Sequence, residues 1–312
     1  MRGERGFALV ITLIVTALLV ALLAEFVNEV YVDTSHSHNF VASQQASILA
    51  ESGIQGGYQL LQYSALLRAG ASYSALTEQW AKPFSYDTGN GTVTVTIEEE
   101  SGKLNLNNGA PPNGTANDYT MMAQRLFTTL KLQPELTDAL LDWVDTNDTP
   151  HPSGAESSYY LTLKPPYKAK NSTLDTVEEL GLLKGFTPEV IAKLRPFVTV
   201  YGKTDFEVAT LVNVNTAPKE VLMALDQNLT ADLAERIIEA RKTTPLKTAT
   251  DLSSILGTGP VFISLGSKVT YSGSVYRIHS EGKVGESIAV VEAVVRYAGG
   301  IGTPTPIYWR EY

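Results

Sequence analysis

The run FALVITLIVTALLVALLA, Phe7 to Ala24, is apolar at every position except Thr12 and Thr16. As a helix its 18 residues extend roughly 27 Å at 1.5 Å per residue. That is just enough for a bilayer core of about 30 Å. Ahead of it stands MRGERG, Met1 to Gly6, with Arg2 and Arg5 against Glu4 alone. The basic flank predicts a cytoplasmic N-terminus and an exported remainder. A secretory signal would end in a small-residue cleavage site. Here the helical pattern runs on instead. Glu25, Asn28 and Glu29 share a face, and Ala42 to Leu67 is a second amphipathic stretch with Ile48, Leu49, Ile54, Tyr58, Leu60 and Leu61. The prediction is one long helix that starts in lipid and ends under a globular head.

The rest of the 312 residues suits such a head. Hydrophobic residues make up 44% and charged residues 18%, without low-complexity tracts, so a packed core is expected rather than disorder. With no cysteine, disulfides, thiolate metal sites and cysteine nucleophiles are excluded. The formal charge of −9 disfavours nucleic acid and favours calcium or basic protein surfaces.

Strand patterns lie far apart in the chain. Thr92 to Glu98 (TVTVTIE) alternates Val93, Val95 and Ile97 with Thr, the signature of a half-buried strand after the turn Gly89-Asn90-Gly91. Ser274 to His279 and Ser287 to Tyr297 are strand-like, with a turn expected across Gly282 to Gly285. The Glu98-Glu99-Glu100 run is expected to mark an exposed strand end. Roughly 160 residues of helical pattern separate the strands. The fold class predicted is α+β: a long N-terminal helix packed on an antiparallel sheet, with a large helical domain inserted into that sheet. The divisions are 1–6, a cleaved leader; 7–70, the transmembrane and stalk helix; 71–103, the first part of the αβ core; 104–265, the inserted domain; 266–300, the C-terminal strands; and 301–312, a tail.

The inserted domain carries a repeat. Leu104-Asn105-Leu106-Asn107 returns as Val212-Asn213-Val214-Asn215, and Leu136-Thr137-Asp138-Ala139-Leu140-Leu141 as Leu229-Thr230-Ala231-Asp232-Leu233. Each unit closes with a short helix, Leu174 to Leu183 and Thr248 to Leu256, and Thr137 and Thr230 are candidate helix caps. Two related units, 104–205 and 206–265, are expected to pack as one lobe. The second resembles the SAM-like, helix-hairpin-helix modules of competence DNA receptors. Its hairpin position, Asp226-Gln227-Asn228-Leu229, holds an acid and no Gly, so the fold is expected without the phosphate site.

Asp142, Asp145, Asp148 and Glu156 crowd into fifteen residues with Asn147, Pro150, Pro152 and Gly154 between them. Hard oxygens on a loop suit calcium. Pro150 stands where an EF-hand needs its turn Gly, so this is a different kind of site. His36, His38, His151 and His279 are expected to form no site, and Trp80, Trp143 and Trp309 to serve as core or interface anchors. G-x-S-x-G, H-E-x-x-H, P-loop and GxGxxG patterns are absent, so no enzyme is expected.

The basic leader, Gly6-Phe7, the apolar run and the long helix together resemble type IV prepilins and pseudopilins. The resemblance implies cleavage by the prepilin peptidase after Gly6 and methylation of Phe7. Most pilins carry Glu at the fifth mature position; here it is Ile11. In that family the carboxylate is thought to pair with a neighbouring subunit's N-terminus, so its loss fits a tip subunit. SGKLNLNN (Ser101–Asn108), LLDWVDTNDTPHPSGAESSYY (Leu140–Tyr160), NSTLDTVEEL (Asn171–Leu180) and LVNVNTAP (Leu211–Pro218) resemble the type II secretion K subunit, the GspK family. That family implies a minor pseudopilin, with an inner-membrane anchor, a periplasmic head and calcium in the lobe. It also implies I- and J-type minor pseudopilins, the major pseudopilin and the inner-membrane assembly platform as partners. The rival readings are a minor type IV pilin and a membrane-tethered DNA receptor.

Overall fold

The computed structural model describes residues 4–202, 210–300 and 302–312, and of residues 4–6 the backbone alone. Met1 to Gly3 of the expected leader and the expected 205/206 unit boundary lie outside the described residues. The first helix, α1 (Glu4–Leu67), is continuous over 64 residues, roughly 96 Å at 1.5 Å per residue. None of its apolar window is buried in the protein. Thr12 and Thr16 do not interrupt it, because each hydroxyl donates to the carbonyl four residues back, Thr12 to Ala8 at 2.8 Å and Thr16 to Thr12 at 2.9 Å. Neither hydroxyl then needs a partner outside the helix.

After α1 come β1 (Phe84–Asp87) and β2 (Thr92–Glu99). The chain then enters a helical lobe. Its first unit holds β3 (Leu104–Asn105), α2 (Leu106–Gly109), α3 (Asp118–Thr129), α4 (Leu136–Val144), α5 (Ser157–Tyr160), a 3-10 turn at Val177–Leu182, α6 (Pro188–Leu194) and β4 (Val198–Thr199). The second holds β5 (Val212–Asn213), α7 (Lys219–Leu225), α8 (Ala231–Thr243), α9 (Ala249–Leu256), α10 (Pro260–Leu265) and β6 (Val269–Thr270). The chain returns as β7 (Val275–Val284), β8 (Ser287–Arg296) and β9 (Thr305–Glu311).

The five long strands form one antiparallel sheet in the order β1-β2-β7-β8-β9. Val93, Val95 and Ile97 of β2 turn inward and join Ala50, Ile54, Leu61, Trp80, Tyr276 and Ile278 in a core between α1 and the sheet. Close approach depends on glycine. A Cβ at Gly53 would stand 2.0 Å from Ser280 Oγ, and one at Gly282 2.2 Å from the Ala46 carbonyl. Gly282 therefore sits inside β7, paired with Val93 and Ala289, not in a turn. The turn is Gly285-Glu286, where Gly285 has φ +57. The expected tail is a strand: β9 pairs with β8 along the sheet edge, and a bulge between Val294 and Val295 leaves Pro306 beside Val295. An edge strand tolerates the missing N–H.

The lobe has its own core and is inserted between β2 and β7, which pair with each other. Its repeat is visible in backbone pairing. Leu104–Asn105 pairs in parallel with Val198–Thr199, and Val212–Asn213 pairs in parallel with Val269–Thr270. Each unit is thus tied from its first residues to its last, and the second closes at Thr270, beyond the expected limit of 265. α6 and α10 also correspond, both opening on a proline at the first turn.

The second Asn of each repeat is a clamp. Asn107 Nδ2 donates to the carbonyls of Leu174 (3.0 Å) and Val200 (2.9 Å), while its Oδ1 accepts from Leu174 N. Asn215 does the same with Leu246 O (2.7 Å), Tyr271 O (3.0 Å) and Leu246 N (2.8 Å). A side-chain amide can pin a loop and a strand at once because it both donates and accepts. Asn215→Ala leaves buried backbone groups unpaired, each costing about 1–3 kcal/mol. Equilibrium urea denaturation is expected to show a loss of roughly 2–5 kcal/mol, whereas a loss below 1 kcal/mol would refute the clamp. The two units meet where Arg125 of α3 donates to Ala224 O (2.7 Å) at the end of α7. Of the two candidate caps, Thr230 accepts from Leu233 N, but Thr137 lies inside α4 and donates to Pro134 O.

Candidate metal centre

The acidic segment begins in α4 and ends in α5. Its local fold follows from Trp143 and Tyr160, both buried. Their rings meet edge to face at 5.3 Å, Tyr160 stacks on Tyr167 at 5.3 Å, and Trp143 Nε1 donates to Glu179 Oε1 at 2.7 Å. These anchors fix the two ends of the loop, and Lys184 Nζ holds its middle through the Gly154 carbonyl at 2.9 Å.

Burial of carboxylates is the main feature between the anchors. Asp142, Asp145 and Glu156 are all inaccessible to solvent, at 0%, 0% and 1% exposure. Asp148 is exposed. Asp142, Asp145 and His151 each bring one potential ligand atom into a group spanning 4.8 Å. His151, expected to form no site, stands against this group of carboxylates. Its backbone N–H donates to Asp142 Oδ1 at 3.1 Å, and its Nδ1 lies 2.5 Å from the same oxygen. Asp145 Oδ1 accepts from Asn147 N (2.9 Å) and Asn147 Nδ2 (2.8 Å). Asp145 Oδ2 and both oxygens of Glu156 are buried without a hydrogen-bond partner.

Unpaired buried carboxylates are costly, and the electrostatics show it. Burial, then the charges of Asp142, Asp145 and Asp148, push the Glu156 carboxyl up to about 7. Burial and Asp142 also raise Asp145, although Asn147 opposes them. Burial alone would lower His151; the hydrogen bond and charge of Asp142 outweigh it, so the imidazole is raised. Exposed Asp148 thus acts on the cluster through its charge. Two glycines make room for the oxygens. A Cβ at Gly154 would stand 1.9 Å from Asp142 Oδ2, and one at Gly114 (φ +68) 2.4 Å from Asp145 Oδ2. Gly114 belongs to a loop far upstream in sequence, bound to the acidic segment where Thr146 N donates to Pro112 O. Spacing along the chain carries no sign of that contact, though Asn113-Gly114 is a readable turn signal.

The residues expected to be processed lie elsewhere. Gly6 and Phe7 are in the first turns of α1, and the Phe7 side chain is exposed at 71%. The hairpin expected to have lost its phosphate site is occupied by its own carboxylate. Asp226 accepts from Ser264 Oγ at 2.5 Å and lies 4.0 Å from Lys268. Sequence reading missed a second hairpin, Gly257-Thr258-Gly259 between α9 and α10, which is exposed and does contain glycine. α10 has six residues, too short to concentrate a helix dipole on a phosphate.

Comparison with known proteins covers both units of the lobe. Residues 102–203 match a family model for the first domain of type II secretion system protein K, and residues 212–267 match a further model of that protein. The type II secretion system protein K of Pseudomonas aeruginosa is 33% identical over 253 residues, spanning 77% of this chain and 73% of that one. Its counterpart from Klebsiella pneumoniae is 28% identical over 264 residues, spanning 81% and 78%. Among solved structures, a chain of the GspK–GspI–GspJ complex from enterotoxigenic Escherichia coli superimposes with a TM-score of 0.69. It shares 16% identity and covers 91% of this chain and 99% of that chain.

Proposed function

We propose a role from one premise: this chain belongs to the family of type II secretion system protein K. It acts as a minor pseudopilin that caps the pseudopilus and seeds its assembly, supporting export of folded proteins across the outer membrane. The observation that carries the reading is the insertion of a whole helical lobe between paired strands β2 and β7 of a pilin-like head. A subunit so enlarged packs poorly inside a tightly wound fibre and fits at its end. Ile11 in place of the usual carboxylate agrees, since the subunit then has no buried charge to offer a neighbour above it.

α1 supplies the anchor and the assembly surface. Its exposed apolar side chains hold the subunit in the inner membrane, with the head in the periplasm, and then pack against partner helices. The partners proposed are the I- and J-type minor pseudopilins, the major pseudopilin and the assembly platform. Maturation by the prepilin peptidase between Gly6 and Phe7, with methylation of Phe7, precedes assembly. The intact mass of the protein from membranes tests this. Loss of Met1 to Gly6 plus one methyl group is expected, appearing only when the peptidase is present. An uncut chain, or cleavage after Ala24, would overturn the pseudopilin reading.

For the acidic loop we propose calcium as a structural ion. The donors fit: carboxylate oxygens predominate, three of them buried without partners, while Asn147 braces Asp145 through its N–H groups. Asp142, Asp145 and Glu156 would hold the ion and Asp148 would add charge, which suits a hard cation with flexible coordination. What the ion supplies is neutralisation of the buried charge. The protein supplies the frame, through Trp143, Tyr160, Gly114 and Gly154.

A further inference from the structure

The three consecutive glutamates do not mark an exposed strand end. Glu99 and Glu100 are buried, at 6% and 0% exposure, and only Glu98 faces solvent. The two buried acids have opposite surroundings. Glu100 meets cations, Lys103 Nζ at 3.0 Å and Arg277 Nε at 2.8 Å. Burial raises its carboxyl, but Lys103 and Arg277 outweigh that and hold it below the usual range. Glu99 meets neutral groups. Asn213 Nδ2 lies 3.0 Å from Oε1 and 2.9 Å from Oε2, and Ser74 Oγ lies 3.3 Å from Oε2. The Thr216 hydroxyl, buried and without another partner, adjoins the carboxyl.

These contacts form the joint between lobe and sheet. Glu99 is the last residue of β2, and Asn213 opens the second unit on β5. Asn213 Nδ2 also donates to Ser74 O at 3.0 Å, and Gly273, where the lobe ends, donates its N–H to Ser74 Oγ at 2.6 Å. A Cβ on Gly273 would stand 1.4 Å from Glu99 Oε1, so the seam closes directly on the carboxyl. The equivalent residue of the first unit, Asn105, donates to Tyr201 O and Thr210 Oγ1, both neutral and uncharged. A titratable partner is thus peculiar to the Asn that docks the lobe on the core.

We propose that Glu99 is a pH-sensitive latch between the lobe and the pilin-like core, closed when its carboxyl is protonated and loosened when it is charged. Among the described residues, the charged or titratable groups facing it are Arg68 from the turn after α1, itself held by Glu78 at 2.6 Å, and Tyr276 from β7. Glu100 is turned toward Lys103 and Arg277. Burial dominates, raising Glu99 from 4.5 to about 7 against the opposing effects of Asn213, Thr216, Ser74 and Arg68. The closed seam therefore binds a proton that the opened, hydrated one releases. Closure is fully supported below about 4.5, weakens as pH rises from there to about 7, and is level above.

The test is amide hydrogen exchange on the full chain in detergent, between pH 5.5 and 8. The readout is protection of the Ser74, Gly273 and Ser274 amides relative to amides at the centre of β8, a ratio that cancels the intrinsic rate. Relative protection is expected to fall about tenfold or more over that range. Glu99→Gln flattens the fall, and Glu98→Gln, at its exposed neighbour, leaves it in place. Asn213→Ala removes donors that favour the charged form and so moves the midpoint upward; it decides the matter should Glu99→Gln not fold. A flat wild-type ratio, an equal fall in Glu99→Gln, or an unmoved midpoint in Asn213→Ala would overturn the latch.

Discussion

Saturating calcium is expected to raise the melting temperature of the chelator-treated protein by about 8 °C or more. Free ion at 1,000 times its Kd stabilises the folded state by about 4 kcal/mol, and each kcal/mol moves the transition of a domain this large by roughly 2–4 °C. The variants separate an ion site from a merely acidic loop. Glu156→Gln removes a buried carboxylate that has no hydrogen-bond partner, so the metal-free protein becomes more stable while most of the calcium shift is lost. Asp145→Asn is expected to behave in the same way. The pH dependence has a definite sign. Without ion, Glu156 at about 7 lies above its ordinary 4.5, so its contribution is complete below 4.5 and is lost as pH rises through 7. Calcium needs the charged form, so its effect is largest above pH 7 and shrinks toward pH 6. A melting temperature unmoved by millimolar calcium at pH 8 would remove the ion from this description.

Arg277→Ala is expected to cost about 3–5 kcal/mol, the range seen when one partner of a buried ion pair is deleted. Arg277 on β7 bridges Glu100 Oε1 at 2.8 Å and Glu292 Oε1 at 2.5 Å, and its guanidinium lies 5.7 Å from the Tyr201 ring centroid. Removing it leaves the fully buried Glu100 with Lys103 as its one cation among the described residues. Tyr201 follows the last strand of the first unit, so the loss is felt at the contact between lobe and sheet. Chemical denaturation measures the effect, and a loss under 1 kcal/mol would show that Lys103 suffices.

Much of this was readable from the chain because it rests on local pattern. The apolar run from Phe7, the Val-Thr alternation of β2 and the LNLN/VNVN repeat each declare themselves within a few residues. What could not be read depends on distant parts meeting. Glu99 and Glu100 look like a solvated charge run until Asn213 and Arg277, more than a hundred residues on, are folded against them. His151 beside proline reads as loop, and only the bend of the segment brings its ring onto Asp142. Thr137 has a capping residue's chemistry, but Pro134 and Glu135 before it already start the turn, so its hydroxyl bonds backward. The Pro-bearing C-terminus reads as a tail because an edge strand needs no complete set of donors.

The position of the insertion also dictates an order of events. Glu100, just past the end of β2, and Arg277 of β7, 177 residues apart in sequence, touch each other. Bringing such distant points together from an open chain is entropically expensive and slow. A lobe whose units each fasten their own first and last strands removes most of that expense, because once folded it presents its two ends side by side. The lobe is therefore expected to fold ahead of the sheet it interrupts, with β2 and β7 then zipping as though joined by a short hairpin, and pulse-labelled amide exchange during refolding would show lobe amides protected before those of β7. The chain that nucleates a fibre would on this view carry its own nucleus for folding, placed in the middle of its sequence.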